Sequence, residues 1–319
     1  MMKIVERYSE KAIKYININK LKNKTIAIDA NLFIYKSIFA IRGNIGFNFD
    51  FDSNGDGESK LHIYIMFIRL YGLYKWNIKP IFVFDFAYPK MKDKCIIDRK
   101  NKKDEYKKKY LIEKNKLMKK KYYNLCSSIT QKEYNDIIKL IKLFGFTYIF
   151  SKEEADSQCA YISKKGFVDY VISDDSDLLL FGCKNIIKNF TLNEKKKMKV
   201  INLSKILDET KLKMKSFIQL GILLGCDYVK TVPGIGYVKA FELIKKYKTI
   251  KKAQLNEIIP KSFIYEDVYD YFLHGKYKKI YKKDLKIIKP NIDYLKKFMY
   301  DNGFEKNNIV NKYICLMNL

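Results

Sequence analysis

The sequence predicts an α/β fold: a mostly parallel central sheet with helices on both faces, a basic helical arch, and a C-terminal helix–hairpin–helix subdomain. Three observations predict it. Short apolar runs at 24–28, 80–84 and 169–173 each end in aspartate, as buried parallel strands do when their carboxyl ends face a ligand crevice. Amphipathic helical patterns separate these runs. The stretch 86–130 breaks the pattern, with fourteen lysines and Arg99 against five acids.

The elements follow in chain order. KTIAI at 24–28 is a strand ending at Asp29, and NLFIYKSIFAI at 31–41 is its following helix. LHIYIMFIRLYGLYKW at 61–76 is a second helix, and PIFVF at 80–84 leads to Asp85. After the basic stretch, 131–144 is helical and GFTYIF at 145–150 is a strand. Ser151 could cap the next helix, with Glu154 three residues on forming a capping box; Glu154 and Asp156 would then sit in its first turn, near the crevice. DYVIS at 169–173 runs into Asp174, Asp175 and Asp177. From about 205 the pattern is helical to the end.

Composition bounds the chemistry. The 319 residues carry 63 basic and 35 acidic side chains, a net charge of +28, and an excess of that size serves a polyanion or an anionic membrane. Arginine occurs only at 7, 42, 69 and 99. Lysine suits backbone phosphates and reads no base edge bidentately, so non-specific nucleic-acid binding is the leading expectation. With histidine only at 62 and 274, histidine triads and multi-histidine metal sites are out of reach. The cysteines at 95, 126, 159, 183, 226 and 315 form no CxxC pair and read as reduced intracellular thiols. No apolar run reaches a membrane-spanning length and the N-terminus lacks a signal-peptide core. A soluble, intracellular protein is expected.

Two motif-like segments are set aside. DFDSNGDGE at 50–58 resembles the start of a calcium loop, but position 12 is Leu61 or Ile63 rather than glutamate. Gly234-Ile235-Gly236 follows a helix and lacks the third glycine of a dinucleotide fingerprint. The better reading of that segment joins helix 214–225 to helix 237–248 through a small-residue turn. Backbone N–H groups at the second helix's start, aided by Lys239, Lys245 and Lys246, can then approach a duplex phosphate.

The blocks KTIAIDANLFIY, IKPIFVFD, SKEEADSQCA, VISDDSDLLLFG and LLGCDYVKTVPGIGYVKA occur in that order over roughly 20–255. This series resembles the structure-specific 5′ nucleases, the XPG/Rad2 family, and within it the flap endonucleases. The resemblance implies a PIN-like nuclease core and one nuclease domain over 1–319. Its parts would be an N-terminal segment 1–105, the arch 86–130, an internal segment 131–227, a duplex-binding helix–hairpin–helix 214–250 and a helical region 251–319. It implies that Asp29, Asp85, Glu154 and Asp156 hold one metal ion and that Asp175, Asp177 and Asp227 surround a second. Asp156 stands where the family usually has glutamate and would act through a water. Lys92 and Arg99, seven apart, match the arch residues that grip the scissile phosphate. Tyr35 matches the aromatic that stacks on the terminal base. Arg42 and Arg69 fall on family arginines, so both join Gly234, Gly236 and Lys239 as nucleic-acid-binding candidates.

Seven carboxylates without lysine or histidine partners would repel one another, and Mg²⁺, with Mn²⁺ as a substitute, is the natural neutraliser. The implied reaction is two-metal cleavage of 5′-flap DNA at single-strand/duplex junctions in replication and repair, with 5′-3′ exonuclease activity. A 5′ exonuclease or RNA-degrading nuclease on the same scaffold, and an inactive DNA-binding homologue, stay open as alternatives. The start Met-Met-Lys-Ile departs from the family's Met-Gly-Ile, which puts a DNA contact there in doubt. No sliding-clamp docking box is recognised, a monomer is expected, and the site of action is the nucleus or a cytoplasmic site of DNA replication.

Overall fold

The computed structural model describes residues 1–42 and 60–318, with side chains described up to Phe39 and again from Lys60. Arg42 ends a described helix, but its side chain lies outside the described residues, as does the segment 50–58.

Seven strands form one sheet: β1 (Ile13–Ile16), β2 (Thr25–Asp29), β3 (Lys79–Phe84), β4 (Thr147–Phe150), β5 (Tyr170–Ile172), β6 (Asn185–Lys188) and β7 (Met198–Asn202). Their spatial order is β1-β7-β6-β5-β2-β3-β4. The block β6-β5-β2-β3-β4 is parallel, while β7 runs antiparallel to both β6 and β1. β2 lies centrally, with Ile28 opposite Phe82 of β3 and opposite Ile172 of β5, so the residues after all three strands emerge at one edge.

Alternation along these strands divides the core in two. Ala27, Ile81, Val83 and Val171 face one layer, beneath helices Ala155–Lys164, Met214–Leu223, Tyr237–Tyr247 and Glu266–His274. Ile26, Ile28, Phe82, Phe84 and Ile172 face the other, covered by Leu61–Lys75, Gln131–Leu143, Ile292–Asp301 and Asn308–Asn318. Because both faces are buried, the strands need continuous apolar runs rather than alternation with polar residues.

The basic stretch is a helical hairpin, Asp93–Ile112 and Lys116–Cys126, with no buried residue in either helix. Its two arms meet through Tyr106 stacked on Tyr122 at 6.1 Å and Tyr110 against Tyr123 at 5.6 Å. Tyrosine pairs, one stacked and one tilted, replace an apolar seam, which is why no apolar periodicity marks the segment. The capping box expected at Ser151 and Glu154 does not form, since the helix begins at Ala155 with Glu154 as its N-cap residue and no side-chain cap. Ser151 instead donates to the Phe84 carbonyl at 2.9 Å, tying β4 to β3. A capping box forms at Thr130 and Glu133, where the hairpin returns to the body.

Candidate metal centre and nucleic-acid interface

Four strand ends deliver acids to one place. Asp29 closes β2, Asp85 follows β3, Glu154 and Asp156 follow β4, and Asp175 and Asp177 follow β5. Asp227 arrives from the turn after helix Met214–Leu223, where Cys226 and Val229 make an isolated bridge. A cavity of about 500 Å³ is lined by Asp29, Asp85, Glu154, Asp156, Asp175 and Asp227, together with Tyr35, Tyr134, Lys92 and Arg99.

Backbone and side-chain donors orient several of these acids. The Asp29 carboxylate accepts the Leu32 N–H at 3.1 Å and the Ser173 hydroxyl at 3.1 Å. Asp85 accepts the Ala155 N–H at 2.6 Å and the Asn31 amide at 2.7 Å, which links β3 to the helix carrying Asp156. Asp175 accepts the Asp177 N–H at 2.8 Å. Asp174 turns aside: it takes Lys36 and the Asn189 N–H, which makes it a bracing residue.

Burial and mutual repulsion set the electrostatics. Burial, then the neighbouring Asp85, pushes Asp29 up to about 7. Asp177 is likewise pushed up to about 7 by burial, then by Asp175 and Asp227. Asp156 lies well above the ordinary carboxylate range, through burial and the charges of Asp175 and Asp29. Burial also raises Asp85. These are like charges confined in low dielectric, which favours their protonated forms.

The expectation that the acids lack basic partners is wrong at two of them. Lys92 reaches Glu154 and lies 3.1 Å from Asp227, while one Arg99 nitrogen donates to both Asp227 oxygens at 2.7 and 2.8 Å. Burial pushes Asp227 up, but Lys92 and Arg99 outweigh it and hold the carboxyl below its ordinary value. Lys92 is in turn raised, because Glu154 and Asp227 overcome the cost of burying its ammonium. Sequence alone missed this because Lys92 precedes the first turn of helix Asp93–Ile112, so where its side chain points depends on how the hairpin meets the body.

The donor set fits a hard divalent cation. All seven groups are carboxylates, and Asp156 Oδ1 is buried without a hydrogen-bond partner, an orphan of the kind a cation satisfies. Among the described residues, no three of these acids are already gathered in metal-holding geometry, so the carboxylates would have to draw together on a bound ion. Both histidines stand elsewhere: His62 is buried against Asp136 at 2.9 Å, and His274 ends helix Glu266–His274. All six cysteines are free thiols.

Of the nucleic-acid candidates, Tyr35 lines this cavity and Arg69 an adjoining one, while Gly234, Gly236 and Lys239 line neither. Tyr35 is half-exposed on the cavity wall, tilted on Phe39 at 4.3 Å. Arg69 lines a smaller adjoining cavity of about 190 Å³ with Asp29, Leu32 and Phe190, and burial lowers its guanidinium. Gly234 has φ +75, and Gly236 is the N-cap of helix Tyr237–Tyr247. A Cβ at either glycine would meet nothing within 4 Å. Open space there leaves the first N–H groups of the helix accessible, and Lys239 is exposed beside them. Three tyrosines were missed. Tyr134 lines the cavity and is pushed up to about 12 by burial, then by Asp85 and Asp29. Tyr228 and Tyr271 both donate to Glu154, at 2.6 and 3.2 Å. Only Tyr228 carried a signal, as the neighbour of Asp227.

The family models for the XPG N-terminal domain and the XPG I-region match residues 1–106 and 145–227. Flap endonuclease 1 of Entamoeba histolytica is 34% identical over 283 residues, spanning 86% of this chain and 74% of that protein. The chain belongs to the flap endonuclease 1 family. Flap endonuclease 1 of Theileria annulata is 33% identical over 306 residues, covering 93% of this chain but 59% of its own length. Among solved structures, flap endonuclease-1 from Methanococcus jannaschii matches with TM-score 0.70 at 26% identity, over 96% of this chain and 95% of that one. The catalytic core of Rad2 in complex with DNA substrate matches with TM-score 0.71 at 26% identity, over 97% of both chains. The α/β PIN-like nuclease fold expected from sequence is the fold of the family. No described helix is long and apolar enough to cross a membrane.

Proposed function

We propose that this chain is a divalent-metal-dependent, structure-specific 5′ nuclease. It would cleave 5′-flap DNA at single-strand/duplex junctions, with accompanying 5′-3′ exonuclease activity, in DNA replication and repair. The observation that carries this reading is the convergence of acids from four strand ends on one cavity that Lys92 and Arg99 also line. Asp29, Asp85, Glu154 and Asp156 would hold one ion, and Asp175, Asp177 and Asp227 a second. Such ions supply an activated water and stabilise the leaving oxygen of a phosphodiester displacement, giving a 5′-phosphate and a 3′-hydroxyl.

The chain's own residues do the rest. Lys92 and Arg99 place a point charge and a guanidinium fork where charge develops on the phosphate. Tyr35 offers an aromatic face for the terminal base. The hairpin around Gly234 and Gly236, with Lys239, holds duplex backbone through N–H groups and charge, and so reads structure rather than sequence. The helical hairpin within 86–130, whose Lys92, Arg99, Lys103 and Ser128 line the cavity, would serve as the 5′-strand arch. The free thiols fit a reducing compartment where DNA is replicated, and the reading requires no partner beyond DNA.

The test is Mg²⁺-dependent cleavage of a panel of 5′-flap, nicked, blunt and RNA substrates. Flap incision near the junction is expected. Binding without cleavage in either Mg²⁺ or Mn²⁺ would overturn the reading in favour of an inactive DNA-binding homologue. A preference for blunt ends or RNA would reassign the substrate on the same chemistry.

A further inference from the structure

Glu154 is gripped by groups from three separate parts of the chain. Lys92 reaches Oε1, while Tyr228 and Tyr271 both donate to Oε2, at 2.6 and 3.2 Å. Tyr271 lies on helix Glu266–His274, beyond both family-model regions. Its ring is buried edge-on against Phe181 at 5.4 Å and against Tyr228 at 5.3 Å, so its rotamer and hydroxyl direction are fixed. The chain following that helix is strapped across the helix that carries Asp156. The Ser157 hydroxyl donates to the Lys276 carbonyl at 2.8 Å, and Gln158 exchanges two hydrogen bonds with the Lys278 backbone at 3.1 and 2.7 Å. Lys276 pairs with Glu153 at 2.9 Å. The strap therefore locks Tyr271 and the Glu154–Asp156 turn into one unit.

Two phenols on one carboxylate oxygen fix the plane of that carboxylate and occupy its acceptor sites. The other oxygen, Oε1, takes Lys92, a side chain that lines the same cavity, so a cation arriving there would meet a fixed carboxylate and a displaceable ammonium. Glu154 has no cap role to restrain it, so without the phenols Lys92 alone would hold its carboxylate. We propose that Tyr271, delivered by the strap 266–280, is a positioning residue that presents Glu154 in one orientation to a divalent cation. This rests on reading the acid cluster as the metal centre. Outer hydrogen-bond partners of metal-binding side chains contribute roughly 10–100-fold to metal affinity.

The experiment uses the full chain and Mn²⁺ alone as the probe, with affinity measured by calorimetry or electron paramagnetic resonance. Tyr271→Phe should bind Mn²⁺ about 10-fold more weakly, and the Mg²⁺ concentration for half-maximal flap cleavage should rise by the same factor. Its melting temperature in EDTA should stay near wild type, because the ring and its contacts remain. Tyr161→Phe is the control: that phenol bonds the Ile280 carbonyl at 3.4 Å, on the same strap but away from Glu154, and Mn²⁺ affinity should not change. Equal Mn²⁺ affinity in Tyr271→Phe and wild type would overturn the assignment. So would an affinity loss shared by Tyr161→Phe with a matching fall in EDTA melting, since the strap would then act only as structure. Wild-type protein that binds no Mn²⁺ would instead sink the metal-centre reading, and this inference with it.

Discussion

Replacing Asp177 with asparagine separates the chemistry of the acid cluster from its effect on the fold. Asp177 is raised from an ordinary 3.8 to about 7 by burial, then by Asp175 and Asp227. At pH 8 it is charged in the folded and the unfolded chain. Each pH unit of displacement corresponds to about 1.4 kcal/mol, so the charge costs the fold about 4 kcal/mol. Part of that repulsion is shared with Asp175, and the neutral isostere should return about 2–4 kcal/mol. At about 2.1 cal/mol/K per residue, unfolding of 319 residues has an entropy near 0.7 kcal/mol/K, so Tm should rise about 3–6 °C. The measurement is thermal unfolding in EDTA at pH 8 and pH 5, with flap binding and Mg²⁺-dependent cleavage alongside. At pH 5 the wild-type carboxyl is already protonated in the fold, so the gain should shrink by more than half. Cleavage should be abolished while flap binding stays nearly intact, because phosphate affinity comes mainly from lysines. A variant no more stable than wild type at pH 8 in EDTA would refute the electrostatic account, and wild-type turnover in Mg²⁺ would remove Asp177 from the metal centre.

Other outcomes follow from the same geometry. Wild-type protein in EDTA should lose stability as pH rises from about 4 through about 7, because Asp29 and Asp177 hold protons in the fold that the unfolded chain has released; added Mg²⁺ should flatten that slope, and a flat metal-free profile by urea titration would contradict it. Arg99→Ala should lower single-turnover cleavage by orders of magnitude with little change in flap Kd, and a normal rate with modestly weaker binding would take the arch out of the mechanism. Asp156→Glu should keep cleavage and tighten Mg²⁺ dependence; complete loss would show that the site is built around the shorter side chain. Gly234→Ala should cost about 1 kcal/mol through its positive φ without a steric clash, and a duplex-binding defect far beyond that loss of stability would assign the turn a direct backbone contact.

The strands that were legible from sequence are β2, β3 and β5, with continuous apolar runs, and the half-exposed β4 in GFTYIF. TIAI, PIFVF and YVI are continuous apolar runs, and the aspartates at their ends mark where the crevice opens. β1, β6 and β7 were not legible. IKYI, NIIK and MKVIN are four or five residues long and carry lysine or asparagine, so their apolar runs are too short to stand out, although Ile186 and Ile187 of β6 and Val200 and Ile201 of β7 reach both core layers. The capping box was misplaced for a related reason. Ser151-x-x-Glu154 satisfies the local pattern, but the Phe84 carbonyl takes the serine, and two phenols and an ammonium take the glutamate. Tertiary partners overrode a local preference of order 1 kcal/mol.

The same override makes the acid cluster foldable. Seven carboxylates converge, yet Glu154 and Asp227 already hold Lys92 and Arg99. Asp29 and Asp177, which have no such partner among the described residues, are the two pushed up to about 7. The cluster is therefore divided. One side is neutralised from within by the base of the arch, and the other depends on a proton near neutral pH or on a divalent ion. A phosphate drawn to Lys92 and Arg99 would loosen their hold on Glu154 and Asp227 and return negative charge to the cluster, which raises its affinity for cations. By linkage, a cation bound to those acids must raise the affinity of the same two side chains for phosphate by the same factor. If the cluster holds a metal ion, the three ion pairs of Lys92 and Arg99 would tie phosphate capture to metal capture, with both side chains shared between substrate and acids.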